Sequence, residues 1–66
     1  MKIGVAIDSW KLPIFKKYLT KFTYEVLPGI TEDTLSLIVI TDNKEGLLKE
    51  VTAANIECAE HRINRN

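Results

Sequence analysis

Apolar and polar positions alternate at the start of the chain, with Ile3, Val5 and Ile7 on one side and Gly4 and Ala6 on the other. A period of two predicts a strand over residues 2–8. Asp8 and Ser9 then offer side-chain acceptors for a turn or a helix start, and Pro13 suits a first helical turn, where its missing N–H costs nothing. The spacing changes to three and four at Leu12, Phe15, Leu19 and Phe22, which predicts a first helix with Lys16, Lys17, Thr20 and Lys21 facing water. Thr23 to Leu27 is β-prone, and Pro28-Gly29 reads as its closing turn, with Gly29 expected at positive φ. Thr34 to Thr41 places Leu35, Leu37 and Val39 on one face, while Ile38 and Ile40 make its far end apolar on both, as in a central strand. A second helix follows, with Asp42 as the expected cap, Glu45 three residues on, and Leu47, Leu48, Val51, Ala54 and Cys58 as its core stripe. Arg62 and Arg65 fall near its end, where positive charge complements the helix dipole.

The order is therefore βαββα in a single small α+β domain spanning residues 1–66. A right-handed crossover sets strands one and two parallel with strand three between them, giving sheet order 1-3-2 and both helices on one face. This is the ferredoxin-like sandwich lacking its fourth strand. It leaves strand one with an unpaired edge, and it leaves Gly4, Ala6, Ile38 and Ile40 on a sheet face that nothing else in the chain covers. Ile56 and Ile63 form a second apolar stripe on the last helix. A homodimer or larger homo-oligomer is the expectation, with these six positions as candidate contacts.

Size sharpens that expectation. A domain of 66 residues buries only about 60% of the surface its unfolded chain exposes, and without disulfides or metal so short a chain seldom gains more than roughly 3 to 5 kcal/mol from its core. Nine Lys and Arg balance nine Asp and Glu, so the net charge is zero and general attraction to phosphate is weak. The single cysteine, Cys58, excludes an intramolecular disulfide and suits a reducing compartment. Asp8 interrupts the first apolar run too early for a signal peptide, and no stretch is long enough to span a membrane, so a cytoplasmic protein without membrane contact is expected.

Three segments carry a resemblance: Trp10-Lys11-Leu12-Pro13-Ile14-Phe15, Pro28-Gly29-Ile30-Thr31-Glu32-Asp33-Thr34-Leu35, and Ala53-Ala54-Asn55. They resemble features of very short uncharacterised proteins from phage and environmental bacterial genomes. In element order and size the chain is also similar to a truncated ACT domain, a regulatory ferredoxin-like module. That second resemblance implies dimerisation and small-molecule binding; the first implies no known activity.

The chemistry-bearing residues form few constellations. Cys58, His61 and Glu57 share the second helix, but Cys58 falls on the buried stripe and His61 at a surface edge, so an inert thiol and a solvated His–Glu contact are expected rather than catalysis. No cofactor or metal is expected: Gly4, Gly29 and Gly46 are isolated, and two ligands on one helix fall short of a zinc site. Thr31-Glu32-Asp33 reads as a solvated turn. A weak nucleic-acid binder is kept only as a lesser alternative, because Gly4, Ala6, Ser36, Ile38 and Ile40 offer no aromatic platform to stack bases. Asn55 borders the core stripe, where it either bonds across a contact or stands partly exposed. Trp10 either lines a ligand pocket with Asp8 and Ser9 or packs over the start of the helix. Two functions survive: a self-associating binding or regulatory module without catalytic activity, and a phage-like accessory protein that docks on a larger host protein.

Overall fold

The computed structural model describes residues 1–64, with side-chain surroundings for residues 1–61. Its elements are strand β1 (Lys2–Asp8), a 3-10 turn (Ser9–Lys11), helix α1 (Leu12–Tyr18), strands β2 (Thr23–Pro28) and β3 (Thr34–Ile40), and helix α2 (Lys44–Asn64). β3 lies between β1 and β2 and runs antiparallel to both, so the sheet order is β1-β3-β2, as the hydrophobic pattern predicts.

The register decides which residues meet. Ile3, Val5 and Ile7 pair with Val39, Leu37 and Leu35, and Tyr24 and Val26 pair with Val39 and Leu37 on the other side. These side chains share one face of the sheet, and both helices cover it. Among the described residues the buried core is Ile7, Phe15, Leu19, Leu37, Val39, Leu47, Ala54 and Cys58, so every layer contributes and no polar side chain is buried. Leu12, Phe22 and Val51 pack half-buried against it. Lys16, Lys17, Thr20 and Lys21 are exposed, as the helical phase requires.

Several local expectations are corrected. α1 ends at Tyr18, and Phe22 reaches the core through a turn, its N–H donating to Leu19 O at 3.0 Å. Gly29 does not have positive φ. It is needed for close approach instead: a Cβ there would meet the Thr34 hydroxyl and lie 2.6 Å from the Thr34 carbonyl carbon, because Gly29 N–H donates to Thr34 O across the β2–β3 connection. Leu48 is 54% exposed and stands outside the core stripe. It lies one residue, or 100° of helix rotation, from Leu47, and only one of the two can face inward.

The cap of α2 is Asn43 rather than Asp42. Asn43 Oδ1 accepts from Gly46 N–H at 3.0 Å, while Asn43 N–H donates to Thr41 Oγ1 at 3.0 Å. Asp42 instead meets the Met1 ammonium at 3.3 Å in full exposure, a surface pair worth little. Arg62 and Arg65, expected at the end of this helix, lie outside the residues whose side chains are described.

Two thermal or chemical denaturation series check this packing. Phe15→Ala should cost about 3 to 5 kcal/mol, enough to unfold a domain of this size, whereas Lys16→Ala should leave the midpoint nearly unchanged. Asn43→Ala should lose about 1 kcal/mol and Asp42→Ala well under that; the reverse order would restore Asp42 as the cap.

Candidate functional site

Three surfaces collect the residues that sequence reasoning singles out. The first is the turn after β1. Asp8 ends the strand without capping anything by its side chain. Its carboxylate stands 3.8 Å from Lys11 Nζ, and Ser9 N–H donates to Asp33 O at 2.7 Å. The tie to Asp33 fixes the direction in which the chain leaves the sheet. Trp10, 38% exposed, carries Lys11 Nζ 5.6 Å from its ring centroid. It separates two grooves: one of about 310 Å³ lined by Trp10, Pro13, Ile14 and His61, and one of about 120 Å³ lined by Trp10, Lys11, Asn55, Cys58 and Ala59. Asp8 and Ser9 line neither groove. Trp10 thus bridges the start of α1 and the later turns of α2, and Asn55 stands exposed at the edge of the smaller groove.

The second surface joins the helices. Lys17 Nζ donates to Glu57 Oε2 at 2.6 Å and Tyr18 OH to Glu57 Oε1 at 2.7 Å, so both carboxylate oxygens of one α2 residue are held by α1. His61 Nε2 lies 3.9 Å from the same carboxylate. The Lys17 and Tyr18 bonds hold the Glu57 carboxyl below its usual pKa, and the bond to Glu57 raises the Tyr18 phenol. Beside it, burial pushes the Cys58 thiol upward, with Lys11 a weaker opposing influence. Cys58 is therefore held as a protonated, shielded thiol, the opposite of the electropositive setting a reactive cysteine needs. Among the described residues no three His, Cys, Asp or Glu side chains gather as a metal site. Sequence reasoning missed the tether between α1 and α2. Its partners lie some 40 positions apart, and only the side-of-stripe position of Tyr18 hints at a partner for its hydroxyl.

The third surface is the uncovered face of the sheet. The register aligns Lys2, Ile40 and Thr23 in one row, then Gly4, Ile38 and Glu25, then Ala6, Ser36 and Leu27, with Asp8 beside Thr34 at the end. Gly4, Ala6, Ile38 and Ile40 are thus brought together. The Ile38 Cδ1 carbon lies against Gly4, 3.9 Å from where a Cβ would stand, which is ordinary contact. Leu27, 43% exposed like Ile40, stands on the same face beside Ser36, and sequence reasoning misses it. Its signal was the period of two through β2, which sets Leu27 outward once Tyr24 is inward. Ile56 is exposed on α2, which covers the opposite face of the sheet. Ile63 lies outside the residues whose side chains are described.

No helix among the described residues is long and apolar enough to cross a membrane. Comparison of the chain with protein-family models, curated proteins and solved structures finds no match in any of the three.

The Glu57 tether sets a pH dependence. A carboxyl whose folded pKa is depressed contributes stability above its unfolded pKa and loses it as pH falls through the folded value. Glu57→Gln should therefore melt below the wild type at pH 7. The difference should close as pH drops below the ordinary glutamate range of about 4. A gap that persists unchanged at low pH would show that the carboxylate charge is not what holds Lys17 and Tyr18.

Proposed function

We propose that the chain is a small self-associating binding or regulatory module, a ferredoxin-like sandwich lacking its fourth strand and without catalytic activity. The reading rests on one observation: among the described residues the helices cover one side of the sheet only, and on the other Ile38 and Ile40 stand beside Gly4 and Ala6, with Leu27 beyond Ser36. Contiguous apolar surface on so small a protein costs free energy in water, and covering it is the general use of such patches. The side-chain chemistry adds support. The thiol is shielded, and the glutamate beside it is committed to holding two helices together, so neither is free to act on a substrate. The grooves beside Trp10 are the place where a small ligand of the assembled module would be looked for.

Sedimentation or light scattering at micromolar concentration tests the reading. The wild type should be dimeric or larger, and Ile38→Lys with Ile40→Lys should weaken that association while its circular dichroism stays native. A wild type that is a stable monomer at that concentration removes the proposal.

A further inference from the structure

The two edges of the sheet are unlike each other. Thr41 N–H donates to Met1 O at 2.9 Å and Ser9 N–H to Asp33 O at 2.7 Å, which continues the β1–β3 ladder by one pair at each end. In an antiparallel ladder the hydrogen-bonded pairs alternate, so Ile3, Val5 and Ile7 point their main-chain groups at β3. Lys2, Gly4, Ala6 and Asp8 then point theirs away from the sheet. On β2, Gly29 N–H donating to Thr34 O fixes the opposite parity. Only Tyr24, Val26 and Pro28 face outward there, and Pro28 has no N–H to give. β2 is a short edge ended by proline, a common protection against pairing. β1 has no proline and no bulge, and of its outward-pointing residues only Gly4 and Ala6 lie between the charged ends.

We infer that β1 pairs antiparallel with β1 of a second copy, about a two-fold axis through Val5, to form a continuous six-stranded sheet. A two-fold axis perpendicular to the sheet keeps each face on its own side, so residues of equal parity must meet. Only centring on Val5 uses all seven residues. Lys2 then stands opposite Asp8 of the second copy and Gly4 opposite Ala6, each pair exchanging two main-chain hydrogen bonds, so every outward N–H and C=O of β1 is satisfied. The charges complement one another twice per dimer, since Lys2 and Asp8 share a face and occupy opposite ends of the strand. Asp8 is half exposed and its own partner, Lys11, is at the loose distance of 3.8 Å, so it remains open to Lys2. On the other face Ile3 meets Ile7 and Val5 meets Val5. These cover Ile3 and Val5, which one copy leaves half-buried at the margin of its core. The inference rests on the self-association proposed above but uses a different contact. Edge pairing joins the two open faces into one, which further copies can still cover.

Charge reversal tests the register. In Lys2→Asp or Asp8→Lys alone, like charges face each other twice, and the dimer dissociation constant should rise roughly tenfold or more. Lys2→Asp combined with Asp8→Lys should restore it. Val5→Cys in a Cys58→Ala background should form an intermolecular disulfide under mild oxidation, because directly opposed non-hydrogen-bonded residues lie about 4.5 Å apart at Cα. Tyr24→Cys on the β2 edge, in the same background, should not. Association that ignores the charge reversals, yields no Val5→Cys crosslink and disappears in Ile38→Lys with Ile40→Lys overturns edge pairing and leaves self-association standing. A monomeric wild type overturns both.

Discussion

The parity of β3 is the constraint on which the rest of the structure depends. As the central strand it is hydrogen-bonded on both sides, and its odd residues, Leu35, Leu37 and Val39, face the helices while its even residues face away. A slip of one residue would turn Leu37 and Val39 out and Ile38 and Ile40 in, moving the whole apolar set to the wrong side. Leu37 and Val39, both fully buried, set this register. The same parity determines which residues of β1 and β2 are left facing water and which of their main-chain groups face the edges. Core and outer surface are two consequences of one register.

Two short connections hold that register. At the β2–β3 turn, Gly29 lets the chain approach Thr34 closely, and the Thr34 hydroxyl lies within 3.2 Å of the Thr31 hydroxyl. At the same end of β3 but on its β1 side, the tie from Ser9 to Asp33 locks the start of the 3-10 turn to the residue before β3. α1 has only seven residues, too few to be stable alone. It holds its position through Phe15 and Leu19 in the core and through the two bonds to Glu57. The exposed Lys17–Glu57 pair adds little by itself; its value lies in being shared with the partly covered Tyr18 bond.

The fold was legible where the signal is local and periodic. Period two in Lys2–Asp8 and period three to four from Leu12 identify β1 and α1, and the two-sided apolar end of β3 places it in the centre. What the chain concealed depends on choices between neighbours or on distant partners. Asp42 with Glu45 and Asn43 with Gly46 offer competing caps at the same spacing, and the Thr41 hydroxyl beneath Asn43 N–H favours the second. Pro28-Gly29 suggests a positive-φ turn, yet the need for glycine comes from Thr34, five residues away. Leu47 and Leu48 are indistinguishable by type, and only the phase set by Val51, Ala54 and Cys58 selects Leu47. Of the candidate site residues, Gly4, Ala6, Ile38 and Ile40 could be grouped from parity alone. Asp8, Ser9 and Trp10 could not be resolved that way, because a 3-10 turn sends successive side chains in different directions.

The distribution of polar groups explains why surfaces rather than pockets carry the functional reading. Among the described residues no buried side-chain nitrogen or oxygen lacks a hydrogen-bond partner, so none of them calls for a ligand to satisfy it. The unmet demands are on the outside, and they are of two kinds. On the uncovered face the demand is apolar area; along β1 it is a row of main-chain donors and acceptors. These demands differ in specificity. Apolar area accepts any complementary surface, whereas the β1 row, with Lys2 and Asp8 at its ends and small side chains between, accepts a strand of matching length and inverted charge. β1 itself, reversed, is such a strand. In the proposed assembly the edge therefore selects the partner, and the apolar face adds affinity once partners are aligned. In that assembly the open edge of β1 gains its neighbouring strand from a second copy.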